Sequence, residues 1–192
     1  MAAIDLFQVS RSISDPIGEL VFVHGLGGDA VKSWTPEDSV GKGENEKEFI
    51  SYFPAVLASD FPTCNVWSLN YSAEFTEWSG NPDFNELPRH CVNVLNYLNG
   101  KAIGQRPTIF VCHSLGGLVV KEILRISSES AFPRMRSIFE NTKAVSFIAT
   151  PHKGTKWADL ISNVDKILPF VRTSDRIAEL KVDNVYLEQL SA

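Results

Sequence analysis

The chain has 192 residues, 44% of them hydrophobic, 21% charged and 10% aromatic, and 18 Lys and Arg against 23 Asp and Glu give a formal net charge of −5. This is the make-up of one ordinary soluble globular domain, long enough to bury a core without disulfide or metal staples. It excludes collagen, coiled coil, a membrane span and a disulfide miniprotein, and an acidic balance without any Lys/Arg run argues against nucleic acid as a partner.

Glu19 to His24 is a short continuous apolar run closed by glycines, the pattern of a strand buried on both faces. Glu44 to Ser59 follows with Phe49, Ile50, Phe53, Val56 and Leu57 near helical spacing, a pattern that Pro54 interrupts. Cys64 to Tyr71 reads as a second strand through Val66, Trp67 and Leu69. Leu87 to Leu98 then sets Leu87, Cys91, Val94, Leu95 and Leu98 on one helical stripe. Pro107 to His113 is a third strand, and Leu115 to Ile126 a helix with Leu118, Val119, Ile123 and Ile126 on its inner side. Lys143 to Thr150 is a fourth strand; Lys156 to Leu168 and Arg176 to Leu190 read as helices, broken near Pro169 and Asp183. Strands alternating with helices predict the α/β class, a mostly parallel sheet with helices on both faces. No repeat, linker or low-complexity tract divides residues 1–192, so a single domain is expected. The three cysteines, Cys64, Cys91 and Cys112, lack metal-ligand spacing, and the N-terminus lacks a basic region followed by an apolar stretch. Both features point to a reducing, cytoplasmic setting with no secretory signal and no metal.

Ligands of such sheets gather beyond the carboxyl ends of the strands. Three strand ends carry unusual punctuation and should open onto one rim: His24-Gly25-Leu26-Gly27-Gly28, Cys112-His113-Ser114-Leu115-Gly116-Gly117 and Thr150-Pro151-His152-Lys153-Gly154. The second is the most informative. A serine where an apolar strand turns directly into an amphipathic helix is held in a tight backbone and projects its hydroxyl above the sheet. The helix N-terminus adds N–H groups and positive potential where an oxyanion would form. The usual pattern is G-x-S-x-G; Cys112 stands in the first glycine's place and is small enough for it. The competing reading is a serine that merely caps a helix. Acyl transfer needs two N–H donors aimed at the oxyanion. One is assigned to Leu115, next to the serine, and the other to Leu26 in the Gly-rich loop. That loop lacks the G-x-x-x-x-G-K-[ST] and full G-x-G-x-x-G patterns of a phosphate cradle.

Val21 to Gly28, Tyr71-Ser72-Ala73, Cys112 to Lys121 and Phe147 to Gly154 together resemble the α/β-hydrolase fold. More narrowly they resemble the serine-esterase family that includes the serine-active-site-containing and GPI inositol-deacylase-like lipases, and the N-terminal hydrolase module of fungal NACHT and NB-ARC proteins. The resemblance implies a serine hydrolase of the esterase or lipase type with an ester or lipid substrate and no cofactor. It implies Ser114 as nucleophile and Leu26 and Leu115 as oxyanion donors. It also implies the chain order Ser, Asp or Glu, His, with two further strands after Leu190 bearing the acid and the histidine. The chain is therefore expected to be C-terminally incomplete, to belong to a longer parent with further domains, and to have short or missing first strands. The fourth strand should then end the sheet and favour self-association.

Among His24, His90, His113 and His152, only His152 follows Ser114. It is read as a turn-stabilising residue after Pro151, with a role as substitute base or substrate contact as the alternative. His24 is expected to shape the oxyanion loop, His113 to pack beside the serine turn and His90 to be an ordinary helix residue. Asp159, Asp165, Asp175 and Asp183 sit in helical or turn contexts that a solvated face explains. The loop from Glu74 to Pro82 reaches the same rim and carries aromatics suited to an acyl chain or to buried anchoring. Trp67 and Trp157 are expected in or near the core, and the Asn70-Tyr71-Ser72 sequon is discounted because it closes a strand. A hydrolase without its positioned base would act only feebly on activated esters. The rival reading is a catalytically inactive hydrolase-like module for interaction or signalling.

Overall fold

The computed structural model describes residues 4–25, 27–36, 52–71, 86–150 and 152. Within them lie five strands, β1 (Asp5–Ser10), β2 (Gly18–Val23), β3 (Cys64–Asn70), β4 (Thr108–His113) and β5 (Thr142–Ile148). The helices are α1 (Phe53–Asp60), α2 (Glu86–Gly100), α3 (Gly116–Glu129) and α4 (Pro133–Asn141), with a 3-10 turn at Lys32–Trp34. The strands form one sheet in the order β1-β3-β2-β4-β5. β1 is antiparallel to β3, and every other pair is parallel. The α/β class and the mostly parallel sheet are as the sequence pattern predicts.

β2 is the middle strand, and all six of its residues are buried. That is why its sequence reads as an unbroken apolar run rather than an alternation. Its one charged residue, Glu19, is buried and accepts hydrogen bonds from Trp67 Nε1 at 2.6 Å, Asn65 Nδ2 at 3.2 Å and Arg106 Nη1 at 3.4 Å. One carboxylate thus ties β2 to β3 and to the segment entering β4, and its desolvation is offset by donors on three sides. One face of the sheet carries Val21, Val23, Leu69, Phe110 and Cys112 against the inner sides of α2 and α3, with Ile138 of α4. The other face carries Leu20, Phe22, Val66 and Val111 against Trp34 and Ala58 of α1. Helices therefore cover both faces, and the expected α2 stripe (Leu87, Cys91, Val94, Leu95 and Leu98) is fully buried.

Two expectations need correction, and two elements, β1 and α4, are not among those the sequence pattern predicts. One six-residue strand, β1, precedes β2; it lies at the edge of the sheet, paired with β3 from Asp5↔Asn70 to Ser10↔Val66 across an irregularity. It leaves little trace in the sequence because only Leu6 is buried and Phe7 is 46% exposed, the shallow burial of an edge strand. Pro54 opens α1 rather than interrupting a helix, because it sits in the first turn, where its missing N–H has no intrahelical acceptor to lose; residues 44–51 lie outside the described residues. The helix α4 follows another first-turn proline and buries Ile138 alone, too narrow an apolar stripe to read from periodicity. The strand placed at Lys143 to Thr150 ends at Ile148, since Ala149 turns into the left-handed region with φ +53°. The two C-terminal helices, 156–168 and 176–190, fall outside the described residues. Among the described residues β5 is the edge opposite β1, with Phe147 and Ile148 partly exposed, and no helix is long and apolar enough to cross a membrane.

Candidate functional site

The carboxyl ends of β2, β3, β4 and β5 meet at one rim, because parallel pairing sets Val23 beside both Leu69 and Cys112, and His113 beside Ile148. Ser114 opens the two-residue turn, Ser114-Leu115, between β4 and α3. Its φ is +51°, a left-handed conformation that costs an L-residue about 1–2 kcal/mol. The strain is held in place by its neighbours. Ser114 N–H donates to Ile148 O at 2.9 Å, while Ser114 O accepts Gly117 N–H at 3.1 Å and the Thr150 hydroxyl at 3.1 Å. Ser114 is 6% exposed, and its hydroxyl makes no hydrogen bond among the described residues. Leu115 is helical in backbone, and its N–H likewise has no acceptor among the described residues. An N–H donor one residue past a strained serine, at the amino end of a 14-residue helix, can stabilise negative charge forming on a nearby oxygen.

The Gly-rich loop after β2 packs directly on this turn. A Cβ at Gly25 would lie 2.7 Å from Ser114 Cβ and 3.2 Å from Ser114 Oγ, so only glycine fits. The loop is braced by His24 and Tyr71. Tyr71 Oη donates to His24 O at 2.6 Å, and the two rings stack with centroids 4.5 Å apart. His24 Nδ1 lies 2.9 Å from Gly25 O, which can only accept, so Nδ1 carries the proton. Gly25 O also accepts Gly28 N–H at 3.2 Å. Leu26, the expected second donor, lies outside the described residues, as do 74–82, Trp157, Asp159, Asp165, Asp175 and Asp183.

The histidines separate by position. His24 is fully buried, and that burial holds its pKa below the ordinary 6.5. His113 is half-buried on the α1 face of the sheet, edge-on to Trp34 at 6.2 Å, and burial lowers its pKa too. His90 on α2 reaches the Tyr71 ring at 5.6 Å, again with a pKa lowered by burial. His152 is exposed, with its ring edge-on to Phe147 at 4.9 Å and its pKa lowered by partial burial and the Lys121 charge. Cys112 faces the α3 side, and burial pushes its thiol far above the usual range; it is a small neutral packing residue rather than a second nucleophile. Tyr71 and Thr150, which brace the rim from two sides, carry no role in the sequence reading. A tyrosine and a threonine just past two strand ends of the same rim are the signal that was there to find.

The lowered imidazole pKa values give a pH prediction. The folded chain takes up these protons at lower pH than the unfolded chain, so below about pH 6.5 the unfolded state binds more of them. Stability is then complete above that value and declines as the pH falls through it. Calorimetry from about pH 7.5 to about pH 5.5 should show Tm falling, with a shallower fall for His113→Asn; a flat profile would mean that the imidazoles take up protons equally in the folded and unfolded chain.

Residues 19–167 match a family described as "Putative serine esterase (DUF676)". The chain is 30% identical to human Protein SERAC1 over 186 residues, 92% of this chain and 28% of that protein. It is 31% identical to Protein SERAC1 of Danio rerio over 160 residues, 78% of this chain and 24% of that one. The chain thus spans under a third of the length of the curated relatives it matches. Among solved structures it is similar to a lipase-esterase related protein from Clostridium acetobutylicum, at 13% identity and a TM-score of 0.47, covering 99% of this chain and 71% of the other.

Proposed function

The chain belongs to the DUF676 serine esterase family, and on that premise we propose that it is a serine hydrolase cleaving carboxylic or lipid esters through an acyl-enzyme on Ser114. One observation carries the reading: a serine held at φ +51° between a buried strand and a helix, with its hydroxyl and the next N–H both unengaged among the described residues. Ser114 Oγ bonds to the ester carbonyl carbon as its proton passes to a base. The alkoxide leaves with that proton, and water then splits the acyl-enzyme. Leu115 N–H, with Leu26 N–H as its proposed counterpart, holds the oxyanion.

The geometry speaks against two of the imidazoles as base. His24 commits Nδ1–H to Gly25 O, and its Nε2 faces Tyr71 N–H at 3.5 Å. His113 points to the α1 face beside Trp34. His152 is neutral near pH 7 and close to the end of β5, which supports a site-lining role and makes His152→Ala the first variant for a local base. The proposal needs no cofactor. It places the protein in the cytoplasm, which the three free cysteines suit, and allows association along the β5 edge.

The test is covalent labelling of the protein by a fluorophosphonate probe, beside its Ser114→Ala variant. Labelling of wild type that Ser114→Ala abolishes is the expected result. No labelling of the wild type overturns the reading in favour of a catalytically silent interaction module.

A further inference from the structure

We infer that Thr150 is a positioning residue for the oxyanion donor: its hydroxyl, bonded to Ser114 O, sets the plane of the Ser114–Leu115 peptide and so the direction of Leu115 N–H. The inference rests on the proposed roles of Ser114 and Leu115 and adds a residue to them. A trans peptide is planar, so its C=O and its N–H point in opposite directions and turn together. Whatever holds the carbonyl of residue 114 from behind therefore aims the N–H of residue 115 in front. Two donors hold it: Gly117 N–H and Thr150 Oγ1, each at 3.1 Å. The Gly117 bond is the ordinary first turn of a helix, and alone it leaves the peptide free to rock about the bond direction. The Thr150 bond arrives from a different element, the chain leaving β5, and fixes the second direction.

The surroundings are shaped around that bond. Ala149 adopts φ +53°, so the chain leaves β5 through a second left-handed non-glycine residue. Ser114 N–H is meanwhile bonded to Ile148 O, one residue before that turn. Two strained residues on adjacent strands thus face each other across two hydrogen bonds, the pattern expected where surrounding structure over-determines a working geometry. Gly117 completes the seat, because a Cβ there would collide with the Thr150 hydroxyl and methyl. A threonine that served only to staple β5 to α3 would matter for stability and leave the ratio of turnover to binding alone.

The experiment uses the whole protein, with kcat and KM on a short-chain nitrophenyl ester, the fluorophosphonate labelling rate and Tm. Thr150→Val keeps the shape and loses the hydroxyl, Thr150→Ser keeps the hydroxyl, and Thr150→Ala replaces the valine variant if that one fails to fold. Misaiming one donor without deleting it should lower kcat and labelling by about 10- to 100-fold with KM nearly unchanged. Thr150→Ser should stay within about threefold of wild type. Wild-type kcat in Thr150→Val, or a loss that tracks Tm and that serine does not rescue, overturns the positioning role while Ser114→Ala remains silent. If the wild type neither turns over nor labels, the serine reading fails and this inference fails with it.

Discussion

Gly25→Ala should slow fluorophosphonate labelling of Ser114 by about a hundredfold while leaving the protein folded. The added Cβ would sit 2.7 Å from Ser114 Cβ and 3.1 Å from His113 O. One of the two sides must yield, and neither is free. Ser114 is tied through its N–H to Ile148 and through its carbonyl to Gly117 and Thr150. Gly25 is tied through its carbonyl to His24 Nδ1 and Gly28 N–H, while Tyr71 anchors the preceding carbonyl. Both partners lie in the proposed reaction geometry, so relief by a few tenths of an ångström on each side displaces the hydroxyl, the loop, or both. A displacement approaching 1 Å is worth about a hundredfold in rate. The stability loss should be about 1–3 kcal/mol, the ordinary cost of overpacking, seen as a lower Tm. Labelling within about threefold of wild type would show that the loop gives way and that its contact with Ser114 has no part in the chemistry.

The elements that could be read from the sequence are those whose burial is deep and regular. β2 is buried at every position and reads as an apolar run; α2 shows one clean stripe; β4 passes from an apolar strand into Ser114 and a glycine pair. β1 and α4 were illegible for the opposite reason, since each buries a single residue and the rest of its side chains meet solvent. At the site, residue types were legible and their arrangement was not. The bonds that brace the rim join Thr150 to Ser114 across 36 residues and Tyr71 to His24 across 47. They exist because the sheet order sets β5 beside β4 and β3 beside β2, and no local pattern carries that order. The left-handed backbone of Ala149 is likewise invisible in advance, because alanine avoids positive φ unless tertiary contacts impose it.

The two glycines after Ser114 were read as one motif, yet the structure assigns them different neighbours, and this leads to the largest expected loss of stability. Gly116 begins α3, and a Cβ there would run into the carbonyl oxygens of both Val23 and His24. Those are backbone atoms of the central strand and its exit, hydrogen-bonded between β3 and β4 on both sides, so they cannot step back cheaply. The helix would have to lift instead, and its amino end carries Leu115 N–H. Alanine normally outperforms glycine within a helix by about 1 kcal/mol. At Gly116 that gain should be reversed to a net loss of roughly 3 kcal/mol, about 6–12 °C in Tm for a chain of this size. Gly100 supplies the contrast within the same molecule. It closes α2, and a Cβ there meets nothing within 4 Å. Gly100→Ala should therefore leave Tm unchanged or raise it slightly, through propensity and a less flexible unfolded chain. Thermal unfolding of the pair measures the close approach of α3 to β2 directly: opposite signs confirm it, and equal shifts would mean that the amino end of α3 is not seated on the carboxyl end of β2.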